Sequence, residues 1–331
     1  MMSSYFDKQK EKNYKVQILR ALAIFAVVLI HTCPGGMWQV ICRPFINYAV
    51  ALFLFLSGYL TKIENNDWIT FYKKRIVRVL IPYIVWTILY TLSSSPPNLM
   101  LQLLKNLITT KAAGTLYYIF VYIQFAILTP ALGKLAKSRF RWVGWLVSPI
   151  STILFKYFWL FSGQQPNKYL SMIWEICCLG WFTYYYLGLV LGNGIINIKY
   201  KFKKLSLFYI VSIPIQIIEG YIWLLLGDSN CGTQLKLSSF LTSTLFLLIA
   251  HCYLNSEKVT VNNRLLILIG DCSFGIYLSH IMVMIILGKI PNYSIIPYVA
   301  NSIVVMLVSL ACVIIGQKIC GDKGSKLIGL K

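Results

Sequence analysis

The sequence predicts an all-α fold, a polytopic transmembrane bundle of about ten spans with both termini on the cytoplasmic side. Three observations predict it: composition, the length of the apolar runs, and the distribution of positive charge. Of 331 residues, 58% are hydrophobic and only 12% are charged, with a mean hydropathy of +0.68. A soluble domain carries roughly a quarter charged residues, and half that number does not cover a water-facing surface. Closed barrels also span membranes, but they are written as short alternating segments. Here the apolar stretches are long and continuous, which is the helical pattern.

A span needs about 20 apolar residues. Ten stretches qualify, at 16–33, 40–61, 77–95, 114–132, 142–161, 172–194, 205–226, 238–254, 265–287 and 295–317. The moderately apolar segment 96–113, opened by Pro96-Pro97, reads as an interfacial or re-entrant piece. Placing the N-terminus inside puts 24 of the 31 Lys and Arg on the cytoplasmic side and 7 on the other. That asymmetry is the positive-inside rule at work. The organisation is therefore a cytoplasmic N-terminal segment (1–15), a membrane domain (16–317) and a cytoplasmic tail (318–331) too short to fold alone.

Several function classes drop out. The net charge of +21 suggests nucleic acid, yet it resides in short loops between spans, where topology explains it. The nine cysteines are odd in number, mostly lie in apolar stretches and include no CxxC pair, so they read as small buried hydrophobes. Cys33, Cys42 and Cys231 share one expected outer face, but no bridge is expected there. The first span runs into Thr32-Cys33-Pro34-Gly35-Gly36 rather than a cleavage pattern. No metal-ligand spacing, P-loop or dinucleotide fingerprint is present, and the expected metal content is none.

The chemistry-bearing residues fall into a few constellations. Arg20 and His31 lie in the first span; eleven helical residues turn about 1100°, leaving them roughly 20° apart on one face and about 16 Å apart along the axis. Intramembrane ionisable groups are expensive and generally face a cavity or a partner. A snorkelling, topology-setting cation is the structural alternative for Arg20, and a carbonyl-bonded helix-end imidazole that for His31. Arg75 and Arg78, in Phe71-Tyr72-Lys73-Lys74-Arg75-Ile76-Val77-Arg78, are helix neighbours that make a fork suited to phosphate. Juxtamembrane basic runs also bind anionic lipid and set topology. Ser273, Tyr277 and His280 share a face of the ninth span, while Asp271 lies on the opposite side of a continuous helix. His251 has no notable neighbours in sequence and reads as structural. Glu175 and Glu219 are the carboxylates within apolar stretches, and Glu175 precedes the aromatic run Trp181, Tyr184-Tyr185-Tyr186.

These residues together resemble the membrane acyltransferase-3 family. Gln17-Ile18-Leu19-Arg20 followed by Leu29-Ile30-His31 is similar to its opening span, an Arg, ten residues and a His. Leu52-Phe53-Leu54-Phe55-Leu56-Ser57-Gly58-Tyr59 resembles its second span, and Arg75-Ile76-Val77-Arg78 before Pro82 its RxxR element. Thr115-Leu116-Tyr117-Tyr118, with Gln124 and Thr129-Pro130, resembles its fourth span, with Tyr117 where Trp is usual. Tyr186-Leu187-Gly188 and Ser273 to His280 complete the order. The likeness is closest to short, stand-alone members that O-acetylate surface polysaccharides, without the SGNH-type hydrolase domain of longer ones.

The resemblance implies an acyl-CoA-dependent O-acyltransferase in the bacterial inner membrane. Acetyl-CoA is the implied donor, and the implied acceptor is a hydroxyl of a surface polysaccharide or its lipid-linked precursor. The residues suit that chemistry: His31 is expected as general base with Arg20 assisting, Arg75 and Arg78 on the CoA phosphates, and Ser57, Tyr117, Tyr118, Glu175, Tyr277 and His280 lining the substrate. A helix-end carboxylate facing interfacial water is the structural alternative for Glu175, and a satisfied structural histidine that for His280. Expected partners are membrane lipid and the glycan acceptor, with no nucleic acid; oligomeric state is left open. Two other classes also fit a bundle with internal polar groups: a transporter or flippase for a lipid-linked sugar, and a non-catalytic subunit of a polysaccharide machine.

Overall fold

The computed structural model describes residues 2–64, 67–197, 201–256 and 263–331, with side chains described from residue 13 onward. Parts of the loops between the second and third, the sixth and seventh, and the eighth and ninth expected stretches therefore lie outside the described residues. Among the described residues the secondary structure is helical, with no strand. Eight helices are long and apolar enough to cross a membrane, or up to ten if each of two bent pairs counts as one span. The chain is a multi-pass membrane protein.

The eight are Asn13–Thr32, Met37–Tyr59, Trp68–Ser93, Tyr117–Lys137, Val143–Ser162, Phe202–Leu225, Leu237–Leu254 and Tyr298–Leu327. Each overlays one expected stretch. The two remaining stretches are broken helices, not straight spans. Stretch 172–194 divides into α9 (Lys168–Ile176) and a segment from Leu179 that includes α10 (Phe182–Gly192). Stretch 265–287 divides at Cys272 into α13 (Arg264–Asp271) and α14 (Ser273–Leu287). Asp271 and His280 are thus on different helices, and a continuous-helix angle between them does not apply.

The chain forms two compact units. The first comprises residues 1–63, 132–165 and 179–271. Its core pairing sets α3 (Tyr48–Tyr59) against α10, and glycine makes the approach possible. A Cβ on Gly58 would lie 2.2 Å from the Tyr185 carbonyl oxygen, and one on Gly188 would lie 2.0 Å from that of Phe55. Gly188 and Gly192 are four apart, the small-xxx-small spacing by which membrane helices touch backbone to backbone. Gly270 likewise lets α13 meet α1 (Met2–Thr32) at the Gln17 carbonyl, 2.0 Å from a built Cβ. In the span Val143–Ser162, a π-helical turn at Ile153–Tyr157 shifts the register and carries Tyr157.

The second unit comprises residues 64–131, 166–178 and 272–331. Asp67 caps α4 (Trp68–Ser93) by accepting from the Thr70 amide at 2.9 Å, and hydrogen bonding from the Thr70 side chain and amide holds its carboxyl below the usual range. Pro82 interrupts the interior of α4 and leaves the Arg78 carbonyl without its helical donor. The segment expected to be interfacial or re-entrant forms a short helix, α5 (Leu99–Thr109), capped by Asn98 and tied to α4 through Asn106 and Thr91 at 2.9 Å. The break after α9 is held from α6 (Tyr117–Lys137): the Gln124 amide donates to the Ile176 carbonyl and accepts from the Cys178 amide at 3.1 Å. The tail does not hang free. α15 (Tyr298–Leu327) turns at Gly321, φ +63°, and the last residues fold back onto α4, α14 and α15.

Candidate active site

Within the first unit, α1 is helical without interruption from Met2 to Thr32, so Arg20 and His31 keep the common face that their spacing gives them. Both side chains are half-buried. Arg20 lies close enough to Asp271 for its charge to act on that carboxylate. That proximity lies where α1 meets α13, next to the Gly270 contact. Sequence spacing did not reveal it, because the two residues are far apart in the chain. Ser57 is half-buried beside Gly58, and its carbonyl accepts from the Thr61 hydroxyl at 2.6 Å.

The Thr32 end of α1 carries a dense polar network. The Arg43 guanidinium donates to the Ile30 carbonyl at 2.8 Å and to the Gly232 carbonyl at 3.2 Å. Asn47 donates to the same Gly232 carbonyl at 3.2 Å and to the Ser239 hydroxyl at 3.2 Å. Lys236, only 2% exposed, donates to the Cys231 carbonyl at 2.6 Å and lies 5.8 Å from the centre of the Trp223 ring. Burial pushes its amine down to about 8, with Glu219 acting in the opposite direction. Glu219 itself accepts from the Tyr157 hydroxyl and from the amide and hydroxyl of Ser238, while Tyr157 accepts from the Leu237 amide at 3.0 Å. These are the first amides of α12 (Leu237–Leu254), so Glu219 and Tyr157 serve as its N-terminal cap from another helix. Of the two intramembrane carboxylates, this one is occupied in holding a helix end. The other, Glu175, is exposed near the end of the short helix α9.

His251 does have neighbours, contrary to the sequence expectation. The Tyr59 ring meets it edge-on at 5.8 Å, and the Asn255 amide lies 3.2 Å from its Nδ1. Tyr59 comes from another helix, which no local pattern reveals, whereas Asn255 stands four residues on at the end of the same helix.

Within the second unit, four of the singled-out residues come together. The Tyr277 hydroxyl donates to the Thr115 carbonyl, and the Tyr118 ring meets Tyr277 edge-on at 5.6 Å. Tyr117 lies close enough to act on the same hydroxyl. His280 is fully buried one turn further, 6.3 Å from the Tyr277 ring, and its Nδ1–H donates to the Ile276 carbonyl at 3.0 Å. That bond requires the Nδ1 proton and directs any second bond to Nε2. Tyr90 engages both ends of one backbone pair of α14, donating to the Leu278 carbonyl at 2.7 Å and accepting from the Met282 amide at 3.1 Å. Arg75 and Arg78 sit one turn apart on α4, Arg75 half-buried over the Phe71 ring at 4.9 Å and Arg78 exposed.

Comparison with known proteins bears directly on this arrangement. The acyltransferase-3 family model, an acyltransferase domain, matches residues 13–317. The chain belongs to that family. The matched acyltransferase domain begins within α1 and ends within α15, so it includes every singled-out residue and excludes only the two ends. No match is found among curated proteins or among solved structures. Among the described residues, no group of three or more His, Cys, Asp or Glu is placed to hold a metal ion.

Proposed function

We propose that this membrane acyltransferase moves an acyl group, acetyl in the first instance, from acyl-CoA to a hydroxyl of a surface polysaccharide or its lipid-linked precursor. One observation carries the reading: in a chain of this family, an unbroken α1 holds Arg20 and His31 on one face. His31 takes the proton from the attacking sugar hydroxyl, since an imidazole titrates near working pH. The oxygen then bonds to the thioester carbonyl, the C–S bond breaks, and the departing thiolate takes the proton from the His31 imidazolium to leave as the free thiol. Arg75 and Arg78 hold the donor's phosphates, a task that suits paired guanidiniums better than ammonium groups. Arg20 assists from the first, expected cytoplasmic, half of the span Asn13–Thr32. Ser57, Tyr117, Tyr118, Tyr277, His280 and Glu175 line the substrate path, which positions the acceptor and excludes water. The chain resides in a bacterial inner membrane with both ends in the cytoplasm, a placement supported by the charge asymmetry of its loops.

The test is direct. Purified protein in nanodiscs receives radiolabelled acetyl-CoA and a panel of bacterial surface glycans. Label in a glycan supports the reading and identifies the acceptor. Folded protein that neither binds nor cleaves any short-chain acyl-CoA overturns it and turns attention to lipid-linked sugar transport.

A further inference from the structure

The last turn of a helix leaves its final carbonyls without partners along the chain. On α1, which ends at Thr32, these are the carbonyls from residue 29 onward. Arg43 takes one of them, donating from Nη1 to Ile30. The Ile30 carbonyl and the His31 amide are two ends of one planar peptide unit. A guanidinium fixed on that oxygen therefore fixes the plane from which the His31 side chain departs. It also places a positive charge at the negative end of the helix dipole, where cations are favoured.

The other arm of the same guanidinium holds a different element. Its Nε donates to Gly232, in the segment that links α11 (Phe202–Leu225) to α12. That segment is fastened from several sides at once. The Gly232 amide donates to Gln39 at 3.3 Å, Asn47 reinforces the Gly232 carbonyl, and the Cys231 thiol donates to Gly36 at 3.6 Å. Lys236 closes the segment on itself through the Cys231 carbonyl. There is no slack at the centre: a Cβ on Gly232 would lie 2.7 Å from Gln39 Cβ and 2.8 Å from Arg43 Cγ. Arg43 is thus clamped by its surroundings, and the end of α1 is clamped by Arg43.

We infer that Arg43 is a positioning residue for acyl transfer, a clasp between the 226–236 segment and the Ile30–His31 peptide that sets the base in register with its substrates. The inference rests on the proposed role of His31. A planar fork suits the task because it reaches two carbonyls along fixed directions, whereas an ammonium group reaches one at a time. Small displacements of a catalytic group are costly, on the order of 100-fold in rate for about 1 Å.

The experiment compares kinetics of full-length variants in nanodiscs. Arg43→Gln is expected to lower kcat about 10- to 100-fold while donor KM changes less than about 2-fold, because Arg43 is not one of the residues proposed to hold the donor's phosphates. Arg43→Lys is expected to restore part of that loss. Gly232→Ala attacks the clasp from its other side, leaves Arg43 in place, and is expected to lower kcat in the same way. Glu219→Gln weakens the cap of α12 without touching either carbonyl that Arg43 holds, and is expected to lower the melting temperature but not kcat. A folded Arg43→Gln protein with wild-type kcat overturns the clasp, and so does a kcat loss in Glu219→Gln equal to that in Arg43→Gln at equal melting temperature. His31→Ala in the same series separates the two claims. If His31→Ala is inactive and Arg43→Gln is normal, the clasp alone fails; if His31→Ala turns over normally, the reading of His31 fails first.

Discussion

The Thr32 end of α1 and the far end of α15 are both finished by a segment folded back onto helices of the same unit, yet the two closures use opposite chemistry. At α1 the contacts are polar and directional: Arg43, Asn47 and Gln39 reach backbone groups of Ile30 and Gly232, with Lys236 buried alongside. At the end of α15 the closure is largely apolar. Leu330, 7% exposed, fills space left by Gly316 and Gly275, and Gly329 passes against Leu278, Pro82 and Phe274. Polar contacts pin it as well: Trp86 Nε1–H to the Ile328 carbonyl at 3.0 Å, the Gln317 amide to the Leu330 carbonyl, the Leu330 amide to the Ser325 carbonyl at 2.8 Å, and an exposed ion pair of Lys331 with Asp322 at 2.6 Å. Apolar packing is non-directional and contributes mainly stability. Buried charge costs dehydration and gives direction in return. A closure made of charged donors is therefore the one expected to fix the geometry of a site, and a leucine plug is the one expected to hold helices together.

Breaking the apolar closure should give the largest effect on stability. Leu330→Ala is expected to cost about 2–4 kcal/mol, read as a lower melting temperature by intrinsic fluorescence, with kcat unchanged in the protein that remains folded. A fall in kcat larger than the loss of folded protein would erase the contrast drawn above.

The polar closure should reveal itself through pH. Lys236 has a folded-state value near 8 against 10.5 when free, so the unfolded chain binds more protons between those limits. Stability should therefore rise as pH rises from about 8 toward 10.5, by on the order of 2–3 kcal/mol from this residue. Lys236→Met should remove that part of the slope, and Arg43, Glu219, Asp228 and Cys231 are the charged or titratable groups that act on it. An unchanged slope in Lys236→Met would mean that the amine is solvated, not buried.

The smallest effect is expected from Trp86→Phe, which deletes one indole donor and keeps the ring. About 1 kcal/mol is expected, well below Leu330→Ala. Equal losses would make the closure of α15 as polar as that of α1.

The spans were legible because about 20 apolar residues in a row have no other stable arrangement than to cross lipid. The two breaks were not: hydropathy runs through Ile176-Cys177-Cys178-Leu179 without a dip, and the single Asp271 before Cys272 reads equally as a polar residue in a straight span; the first break is held open by Gln124, about 50 positions earlier in the chain. Tyr186-Leu187-Gly188 and Ser57-Gly58 were legible as pattern, but only the contact of α3 with α10 shows why glycine is required there. Arg20 and His31 could be paired from spacing alone, since both stand on one helix. Arg43 could not be placed by any local rule. In sequence it is one of the minority cations on the less basic side, and its partner Gly232 is 189 positions away.

The central claim is that His31 performs the transfer, and one comparison tests it most directly. Wild type and His31→Ala, both shown to be folded in nanodiscs, are given the same labelled acetyl-CoA and the glycan that wild type modifies. Loss of general-base catalysis predicts a drop in glycan labelling of about 100-fold or more at equal donor binding. Labelling by His31→Ala within a few-fold of wild type would contradict the account.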